Sequence, residues 1–414
     1  MKVVGIIAEY NPFHNGHKVH IEDAKKLTGA DYCIVVMSGN FVQRGDPAMI
    51  DKYARTKMAL LNGADLVIEL PVYYAVSSAE NFAAGAVSLL DRLGIVDAVC
   101  FGSECGDISI LKTFAEILSE ESSAFSEALK NNVRDGLSYP VARNNALAAV
   151  HQELAGHMDV LSSPNNILGI EYIKALLRRS SSVTPVASLR TGSDYHDTSL
   201  LQATSSAVAI RHSLEQRDNL LLIANKIPSN VYQIMEEHFH VNYPIYQQDL
   251  SLLLKYKLLL YGNSGYTDFV DVNDDLSDKI LKNLESYTGF QDFCGLLNSK
   301  DMTYTRISRC LLHILLDIKK DTLSQFIADD YVYYARILGL RQSAAELLNV
   351  MKKNASLPLI SKLADAKDVL KNSDYAVRML NSDIFASHVY DAVATDKFHT
   401  ALPNEYRRQI VKVR

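Results

Sequence analysis

Residues 11–17 read NPFHNGH and stand between a β-branched apolar run at 2–8 and a helix-like stretch at 16–27. This order predicts that the heptapeptide lies at the carboxyl end of a first strand. There the following helix offers free backbone N–H groups and a positive dipole end to an anion such as a triphosphate. His14 and His17 flank a glycine that lets the backbone approach closely, so both imidazoles can donate to one phosphate. We predict that these two histidines are catalytic.

The alternation of strand and helix continues beyond the heptapeptide. Further strands are predicted at 31–37, 65–70, 97–101 and 183–189, and helices at 47–61, 78–93 and 166–179. Strands separated by helices pair in parallel, and runs such as CIVVM and LVIEL are typical of strands covered on both faces. The sequence therefore predicts an α/β fold with an N-terminal doubly wound parallel sheet, and Pro185 places the last strand at an edge.

Helical patterns dominate after residue 205, with apolar clusters at 252–260, 307–318 and 344–351. The 414 residues exceed one usual hydrophobic core. We predict a catalytic domain at 1–215 and a mostly α-helical domain at 216–414. Because no long Gly/Ser linker separates the two parts, we expect them to pack closely.

Composition is that of an ordinary folded protein, with 48% hydrophobic and 22% charged residues. No run is long enough for a membrane span, and the N-terminus enters a strand, so we expect a cytoplasmic protein without membrane contact. The five cysteines form no C-x-x-C pair, and we interpret them as reduced core thiols with no structural metal. A net charge of -6 requires that any RNA site be a local basic patch.

The H-x-G-H string after the opening strand resembles the signature of the nucleotidylyltransferase superfamily, which is related in fold to the class I aminoacyl-tRNA synthetases. The resemblance implies a Rossmann-like HxGH fold and attack on the α-phosphate of ATP. It also implies a second phosphate-binding motif on a late helix, for which residues 204–211, TSSAVAIR, are the candidate. Ser206 and Arg211 are its expected contacts. Ala207 and Val208 occupy positions where a hydroxyl is expected, and helix capping is an equal interpretation of the serines.

Longer stretches resemble the bacterial tRNA(Met) cytidine acetate ligase family over nearly the whole chain. They are AEYNPFHNGH at 8–17, MSGNFVQRGDPA at 37–48, ADLVIELP at 64–71, FGSE at 101–104, SPNNILG at 163–169 and RTGSDYHD at 190–197, with looser matches at 304–309 and 335–339. This resemblance implies that acetate and ATP form acetyl-adenylate. The acetyl group then passes to the exocyclic amine of the wobble cytidine in elongator tRNA(Met), giving N4-acetylcytidine. Magnesium is expected only as a companion of ATP.

The family resemblance implies an ATP site built around the first loop and helix. The expected contacts are Ile7, Ala8, Glu9, Tyr10, Asn11, Pro12, Phe13, His14, Asn15, Gly16, His17, Lys18, Val19, His20, Gly102, Asn165, Arg190, Ser206 and Arg211. Gly102 also fits a strand end and Asn165 a helix cap, whereas Arg190 follows a strand where doubly wound sheets bind ligands. Residues with open roles, in acetate binding or in loop structure, are Ser38, Gly39, Asn40, Arg44, His196 and Asp197.

The family resemblance implies that the helical domain at 216–414 binds tRNA. Recognition of an unpaired anticodon base needs phosphate contacts together with stacking or edge contacts. The candidate tRNA contacts are Arg178, Arg179, Arg306, Arg309, Lys352, Lys353, the basic tail with Arg407, Arg408, Lys412 and Arg414, and the tyrosines near 331–334. Two rival functions stay open. A small-molecule adenylyltransferase acting on a mononucleotide or phosphopantetheine is disfavoured by the large helical half, and a non-catalytic RNA-binding module is disfavoured by the intact histidines. The oligomeric state is left open.

Overall fold

The computed structural model describes residues 1–120, 122–137, 139–190, 206–300 and 302–414. Within these residues the strands are β1 (Val3–Ala8), β2 (Tyr32–Ser38), β3 (Phe41–Val42), β4 (Asp46–Pro47), β5 (Leu66–Leu70), β6 (Ala98–Ser103), β7 (Thr184–Leu189), β8 (Ala335–Arg341), β9 (Leu359–Ile360) and β10 (Val411–Val413). The helices of the first half are α1 (Asn15–Thr28), α2 (Lys52–Leu61), α3 (Val72–Ala75), α4 (Ala79–Arg92), α5 (Ile108–Ser119), α6 (Ser123–Arg134), α7 (Tyr139–Val150), α8 (Pro164–Arg178) and α9 (Ala207–Arg217). Those of the second half are α10 (Ser229–His238), α11 (Ser251–Tyr261), α12 (Asp274–Asn283), α13 (Phe290–Leu297), α14 (Tyr304–Leu316), α15 (Lys320–Ala328), α16 (Ala345–Asn354), α17 (Ala366–Leu370) and α18 (Asp374–Phe398).

The central sheet runs in the order β10-β8-β5-β2-β1-β6-β7, with β9 beside β8. The five strands from β5 to β7 pair in parallel, which confirms the predicted doubly wound sheet. The chain winds outward from β1 through β2 to β5, and then returns to the other side of β1 with β6 and β7. This reversal creates a topological switch point between β1 and β6, where open α/β sheets bind ligands. β7 lies at the edge, as Pro185 predicted.

Alternate residues of the central strands enter two separate apolar cores. On β2, Ile34 and Val36 belong to one core, whereas Cys33 and Val35 belong to the other. The same alternation on β1 places Val3 and Val4 in opposite cores, as the pleat of a strand requires. The continuous apolar runs of the sequence therefore reflect a sheet with helices on both faces.

Three strands from the second half of the chain extend the sheet, and the sequence analysis did not predict them. β8 pairs antiparallel with β5, and β9 and β10 both pair with β8. β9 and β10 have only two and three residues, so they carry no periodic signal of their own. Helices flank β8 in sequence, which is why the region fitted a helical half. The sheet thus crosses the predicted division at residue 215, and that division stays a prediction.

The start of α2 also differs from the prediction, which placed a helix at 47–61. β3 and β4 form a short antiparallel pair across residues 41–47, and the helix begins at Lys52. Asp51 sets this start because its carboxylate accepts from the backbone N–H groups of Tyr53 and Ala54. All five cysteines are free, as expected, and four are buried, whereas Cys105 is half-buried and packs against the edge of one core. None of the helices in the described ranges is long and apolar enough to cross a membrane.

A buried group of charges joins the N-terminal strands to the C-terminal tail. The Lys52 ammonium lies 2.7 Å from Glu69 Oε1 and 2.6 Å from Glu405 Oε1. The Arg336 guanidinium pairs with the same two carboxylates, at 2.9 Å and 2.6 Å. All four side chains are at most 4% exposed. Two cations and two anions therefore balance inside the protein and attach Glu405, which follows α18, to the sheet.

We predict that Glu405→Gln lowers the free energy of unfolding by about 3–5 kcal/mol, because it leaves two buried cations short of a partner. Burial alone would raise the pKa of Glu405, but Lys52 and Arg336 outweigh it and hold that pKa well below 4.5. This contribution to stability is therefore present above pH 4.5 and is lost as the pH falls towards the folded-state value. Urea unfolding at pH 7 and pH 4 measures both effects.

The matched control is Glu346→Gln on α16, where the side chain is exposed. Its unfolding free energy should stay within about 0.5 kcal/mol of the wild type. An equally small change for Glu405→Gln would contradict the buried-charge interpretation.

Candidate active site

A cavity opens at the carboxyl end of the sheet, at the switch point between β1 and β6. Its walls come from the ends of β1, β6 and β7 and from the N-terminal turns of α1, α8 and α9. The described residues that line it are Ile6, Ile7, Ala8, Glu9, Tyr10, Asn11, His14, His17, His20, Gln43, Arg44, Phe82, Phe101, Gly102, Asn165, Leu168, Tyr172, Arg190, Ser206, Ala207, Val208 and Arg211. The topology therefore brings together segments that are as far apart in sequence as residues 6 and 211.

His14 and His17 begin α1 and hold each other in place. His14 is the N-cap, and its Nδ1 accepts the backbone N–H of Gly16 at 3.0 Å. His17 Nδ1 accepts the backbone N–H of His14 at 3.2 Å, which completes a reciprocal capping box. The two rings stack with centroids 3.7 Å apart. Because each Nδ1 is an acceptor, each neutral ring carries its proton on Nε2 and can donate from that atom.

The histidines of the site are neutral at physiological pH. Burial lowers the pKa of His14 to about 3, and the nearby charges of Arg190 and Arg211 act in the same direction. Burial likewise lowers the pKa of His17 well below its ordinary value, with His14 and Arg190 adding to the effect. The pKa of His20 falls to about 4 for similar reasons. The rings are thus hydrogen-bond donors to an anion, while the permanent positive charge comes from the arginines.

Gly16 makes room for the His14 ring. A Cβ on Gly16 would lie 2.9 Å from Cε1 and 3.1 Å from Nδ1 of His14, closer than side chains normally approach. The other sides of the pair are closed by aromatic rings, since Tyr10 and Phe13 contact His17 with centroids at 4.8 Å and 5.5 Å. The glycine therefore acts through the imidazole, in addition to any approach of its backbone to a ligand.

Gly102 and Arg190 form the opposite wall. A Cβ on Gly102 would lie 3.1 Å and 3.2 Å from Cγ and Cδ of Arg190, so the glycine lets the arginine side chain lie across the end of β6. The backbone N–H of Arg190 also donates to Ser103 O at 2.9 Å. Gly102 thus lies near the end of β6, as one interpretation of the sequence expected. Its lack of a side chain leaves space for the Arg190 guanidinium beside the histidines.

Asn165 does not cap α8, which was one interpretation of the sequence. Glu104 supplies the anion at this helix start: one carboxylate oxygen accepts from the Asn166 backbone N–H at 3.0 Å. The other accepts from Asn165 Nδ2 at 2.6 Å, which holds the Asn165 amide at the cavity wall. Asn166, which was not predicted, fixes the end of β6 through its Oδ1, the acceptor for Ser103 Oγ at 2.7 Å.

Ser206 and Arg211 reach the cavity from α9; the serine caps this helix, and its contact with a phosphate stays a prediction. Ser206 is the N-cap, with Oγ accepting from the Ala209 backbone N–H at 3.1 Å, and it also lines the cavity. Arg211 Nη1 donates to Asn11 O at 2.6 Å, so this hydrogen bond attaches α9 to the loop that precedes the histidines. Thr204 and Ser205, the first residues of the predicted motif, lie outside the described residues, as do His196 and Asp197.

A buried guanidinium fixes the loops that follow β1 and β2. Arg55 is fully buried and, among the described residues, donates only to backbone carbonyls: Glu9 O at 2.6 Å, Ser38 O at 3.1 Å, Ile50 O at 2.9 Å, and Gly39 O. Because one rigid guanidinium binds the ends of two adjacent strands, it fixes the distance between the loop after β1 and the loop after β2. Nothing in the sequence pattern had singled out this arginine.

Glu9 is the acidic side chain among the described residues that line the cavity. Its Oε1 accepts from the backbone N–H of Gln43 at 2.7 Å. Burial raises the pKa of Glu9, although the Gln43 N–H and the guanidinium groups of Arg211, Arg44 and Arg55 act in the opposite direction. A carboxylate with three arginines around it thus stands at the carboxyl end of β1.

The predicted ATP-binding residues divide into two groups. Those that line the cavity are Ile7, Ala8, Glu9, Tyr10, Asn11, His14, His17, His20, Gly102, Asn165, Arg190, Ser206 and Arg211. Those that do not line it are Pro12, Phe13, Asn15, Gly16, Lys18 and Val19. Phe13 is fully buried in the core, Asn15 bonds to the carbonyl oxygens of Asn225 and Lys226, and Lys18 and Val19 are exposed. The second group supports the loop or faces solvent.

Several lining residues were not predicted, although one signal was available. Asn165, Leu168 and Tyr172 are spaced by three and four residues, which places them on one face of α8. Gln43 and Phe82 also line the cavity, as does Arg44, whose role the sequence left open. Tyr172 and Phe101 pack with ring centroids 5.7 Å apart and give this wall an apolar surface.

The basic residues proposed to contact tRNA differ in how exposed they are and in whether acidic side chains already pair with them. Arg179 is tied to Asp91 and Asp330, and Arg178 bonds to Glu80 at 3.0 Å, so their charges are partly neutralised. Arg306, Lys352 and Lys353 are exposed, whereas Arg309 is half-buried. In the tail, Arg408 pairs with Asp391 at 3.3 Å and is largely buried. The residues that keep an exposed charge are the better candidates for phosphates.

The second half of the chain reaches the edge of the site through α14. Ser308 Oγ donates to Gly45 O at 2.7 Å, and Gln247 Nε2 donates to Asp46 Oδ1 at 2.8 Å. Tyr304 completes this contact, since its hydroxyl donates to Gln247 Oε1 at 2.7 Å. The loop that carries Gln43 and Arg44 is therefore held from the helical half.

Comparison with known proteins agrees with this geometry. A family model described as HIGH Nucleotidyl Transferase matches residues 1–404. Proteins named tRNA(Met) cytidine acetate ligase are similar over almost the whole length. That of Caldicellulosiruptor saccharolyticus is 40% identical, and the match covers 100% of this chain and 99% of the relative. That of Caldanaerobacter subterraneus subsp. tengcongensis is 41% identical, and the match covers 94% of this chain and 95% of the relative. The crystal structure of Thermotoga maritima TmcAL in an apo form superposes with a TM-score of 0.93 at 30% identity, and the form bound with alpha-thio ATP with 0.90, each covering 100% of both chains.

The fold and the paired histidines define a nucleotidyltransferase of the HIGH class. Within this class, the chain belongs to the tRNA(Met) cytidine acetate ligase family.

We predict that Gly16→Ala impairs catalysis much more than stability. The new Cβ displaces the His14 ring, and a shift of about 1 Å at such a position can cost about 10²-fold in kcat/KM. Alanine is the better helix former by up to about 1 kcal/mol, which offsets much of the about 0.5–2 kcal/mol expected from disturbing the His14 cap, so the unfolding free energy should change by no more than about 1 kcal/mol. Steady-state kinetics with ATP, together with urea unfolding, measures the two quantities.

Gly295→Ala is the control, because Gly295 also lies in a helix and a Cβ there meets nothing within 4 Å. It should leave kcat/KM unchanged. A Gly16→Ala enzyme with full activity would show that the His14 position is not required.

Proposed function

We propose that this protein activates acetate with ATP and transfers the acetyl group to the exocyclic amine of the wobble cytidine in elongator tRNA(Met). The observation that carries the proposal is the stacked His14–His17 pair at the sheet's switch point, which presents two Nε2–H donors at the positive dipole end of α1. The backbone N–H groups of this first turn are bonded within the protein, so the rings and not the backbone are the donors to an anion. The family membership supplies the substrates. The Thermotoga maritima relative bound with alpha-thio ATP supports ATP as the nucleotide.

In the first step, an acetate oxygen attacks the α-phosphorus of ATP, the bond to the bridging oxygen breaks, and pyrophosphate leaves with the electron pair. Two anions must meet, so the site has to offset their repulsion. Arg190 and Arg211 supply positive charge, and the neutral imidazoles donate hydrogen bonds to oxygens on which charge develops. No covalent bond to the protein is needed.

Magnesium, as a companion of ATP, would be held mainly by the phosphates. In the part of the chain that the structure describes, no group of three or more His, Cys, Asp or Glu side chains could hold a metal ion. Mg²⁺ commonly keeps several waters and binds through substrate phosphates, which agrees with the absence of a dedicated protein cage in these residues. We place the reaction in the cytoplasm, and the free thiols of all five cysteines suit a reducing compartment.

The test of this function is incubation with ATP, labelled acetate and total tRNA, followed by nucleoside analysis. We expect labelled N4-acetylcytidine in elongator tRNA(Met) and release of pyrophosphate. Transfer of AMP to a mononucleotide or phosphopantetheine, with no acetylated tRNA, would instead establish a small-molecule adenylyltransferase. Binding of tRNA without either product would establish a non-catalytic RNA-binding module.

We predict that His17→Ala loses transition-state stabilisation on the order of 3 kcal/mol, which is about 10²-fold in kcat/KM for pyrophosphate release. The loss arises because the variant removes one Nε2–H donor and also frees the N–H of His14. His212→Ala is the control, since His212 is exposed on α9 and does not line the cavity. Equal rates for the two variants would remove His17 from the mechanism.

For the RNA step, we predict that Arg306→Ala weakens tRNA binding and lowers the salt dependence of the affinity by about one phosphate contact. Arg306 is exposed on the first turn of α14, the helix that holds the Gly45 loop beside the cavity. Filter binding between 50 and 200 mM salt measures the slope. Lys112→Ala on α5 is the exposed control, and a slope identical to it would place tRNA elsewhere.

A further inference from the structure

Glu9 is out of place in a cavity that binds anions. ATP and acetate are both negatively charged, and the remaining polar groups of the wall, such as His14, Arg190 and Arg211, suit them. The guanidinium groups of Arg211, Arg44 and Arg55 offset its charge, but an ionised carboxylate only accepts hydrogen bonds, and so do acetate and the phosphates. Since Glu9 lines the same cavity as the histidines and stands at the end of the strand that positions them, its role needs a partner with hydrogen atoms to donate.

Within the part of the chain that the structure describes, the Glu9 carboxylate is held in place by one hydrogen bond and keeps further acceptor positions. One oxygen accepts the Gln43 N–H at 2.7 Å, and Arg55 binds the backbone carbonyl of the same residue at 2.6 Å. The first constraint holds the side chain at the cavity wall, which Gln43 also lines, and the second fixes the backbone below it. The other acceptor positions of the carboxylate have no hydrogen-bond donor among the described residues and are open to a substrate. A residue held this firmly is suited to hold a reacting group in line.

A metal ion is the less suitable partner. The charges that face Glu9 are the guanidinium groups of Arg211, Arg44 and Arg55, which repel a cation. The neighbouring acid, Asp46, is turned towards Gln247, to which its Oδ1 is bonded at 2.8 Å. A Mg²⁺ ion that kept its phosphate ligands would therefore meet three positive groups around a single carboxylate.

The amine of cytosine has the opposite requirement. Its exocyclic N4 carries two hydrogens, and carboxylates are its matching acceptors in protein–nucleic acid contacts. We propose that Glu9 receives the exocyclic amine of the cytidine and takes its proton during acetyl transfer. This inference rests on the proposed function and assigns a residue to its second step.

The step balances as follows. The N4 lone pair attacks the carbonyl carbon of acetyl-adenylate and forms the C–N bond. The bond between that carbon and the phosphate oxygen breaks, and AMP leaves with its electron pair. One N4 proton passes to the Glu9 carboxylate, which later returns it to water. Burial raises the pKa of Glu9 above its ordinary 4.5, which makes the carboxylate a stronger base than one in water.

The test separates the two steps in the full-length enzyme. Acetyl-adenylate formation is followed by acetate-dependent exchange of pyrophosphate into ATP, and transfer by single-turnover formation of N4-acetylcytidine from added acetyl-adenylate and tRNA transcript. For Glu9→Gln we expect transfer to fall by about 10²-fold or more, and always at least tenfold further than exchange. Glu9→Asp should recover part of the transfer rate, because it restores a carboxylate.

The pH profile gives a second readout. The wild-type transfer rate should fall as the pH decreases through a value above 4.5, because the protonated carboxyl cannot accept a proton. Glu9→Gln should lack this decrease. Asp46→Asn tests the other nearby acid, whose pKa burial raises to about 6, and should retain the decrease. Glu22→Gln, exposed on α1, is the matched control for the amide substitution.

Three outcomes would overturn the assignment: an equal loss of both steps, an unchanged transfer rate, or a changed magnesium requirement for exchange, which would make Glu9 a metal ligand. Absence of both products from the wild type would instead refute the proposed function. The two failures are therefore distinguishable. If Glu9→Gln fails to fold, the wild-type pH profile and Glu9→Asp decide the question.

Discussion

The arrangement of the site depends on two backbone N–H groups that bind the Nδ1 atoms of His14 and His17. These bonds cap α1 and at the same time fix the tautomer of both rings. The same two bonds therefore stabilise the helix and leave an Nε2–H on each ring to donate. A protonated ring could not accept at Nδ1, and burial beside Arg190 keeps the rings neutral. The site thus separates its tasks: neutral rings provide direction, and arginines provide charge. A hydrogen-bond donor that is already oriented needs little reorganisation when charge develops on a phosphate oxygen.

Positioning of the histidines requires a rigid foundation, and Arg55 provides it. Its guanidinium donates to carbonyls at the ends of β1 and β2 and lies entirely inside the protein. No carboxylate of the described residues is hydrogen-bonded to this guanidinium, so its charge is stabilised by carbonyl dipoles and by more distant acids such as Asp51 and Glu9. A lysine at this position could not bind both strand ends, because it lacks the planar fork. Loop geometry at the site is therefore set by a residue that never touches a ligand.

The sequence predicted what depends on short-range pattern and missed what depends on distant pairing. Continuous apolar runs identified β1, β2, β5, β6 and β7, and the residues around H-x-G-H located the site. β9 and β10 are too short for periodicity and exist because β8 offers an edge. Arg55, Glu104 and Asn166 act through carbonyls and N–H groups that are distant along the chain, which no local pattern reveals. Conversely, Gly16 and Asn15 belong to the motif, yet they support the loop and do not line the cavity.

The helical half is part of the site's architecture. Strands β8 and β10 extend the sheet that carries the histidines, and Gln247 and Ser308 hold the loop from which Gln43 fixes Glu9. An acyl-adenylate is hydrolysed when water reaches it, so an enzyme that must wait for a large RNA gains if the surface that meets the RNA also shapes the cavity wall. The contact from Tyr304 through Gln247 to Asp46 is such a connection. Because this contact holds the cavity loop, the second half of the chain packs against the first and shapes the site. A nucleotidyltransferase acting on a small molecule needs no such wall.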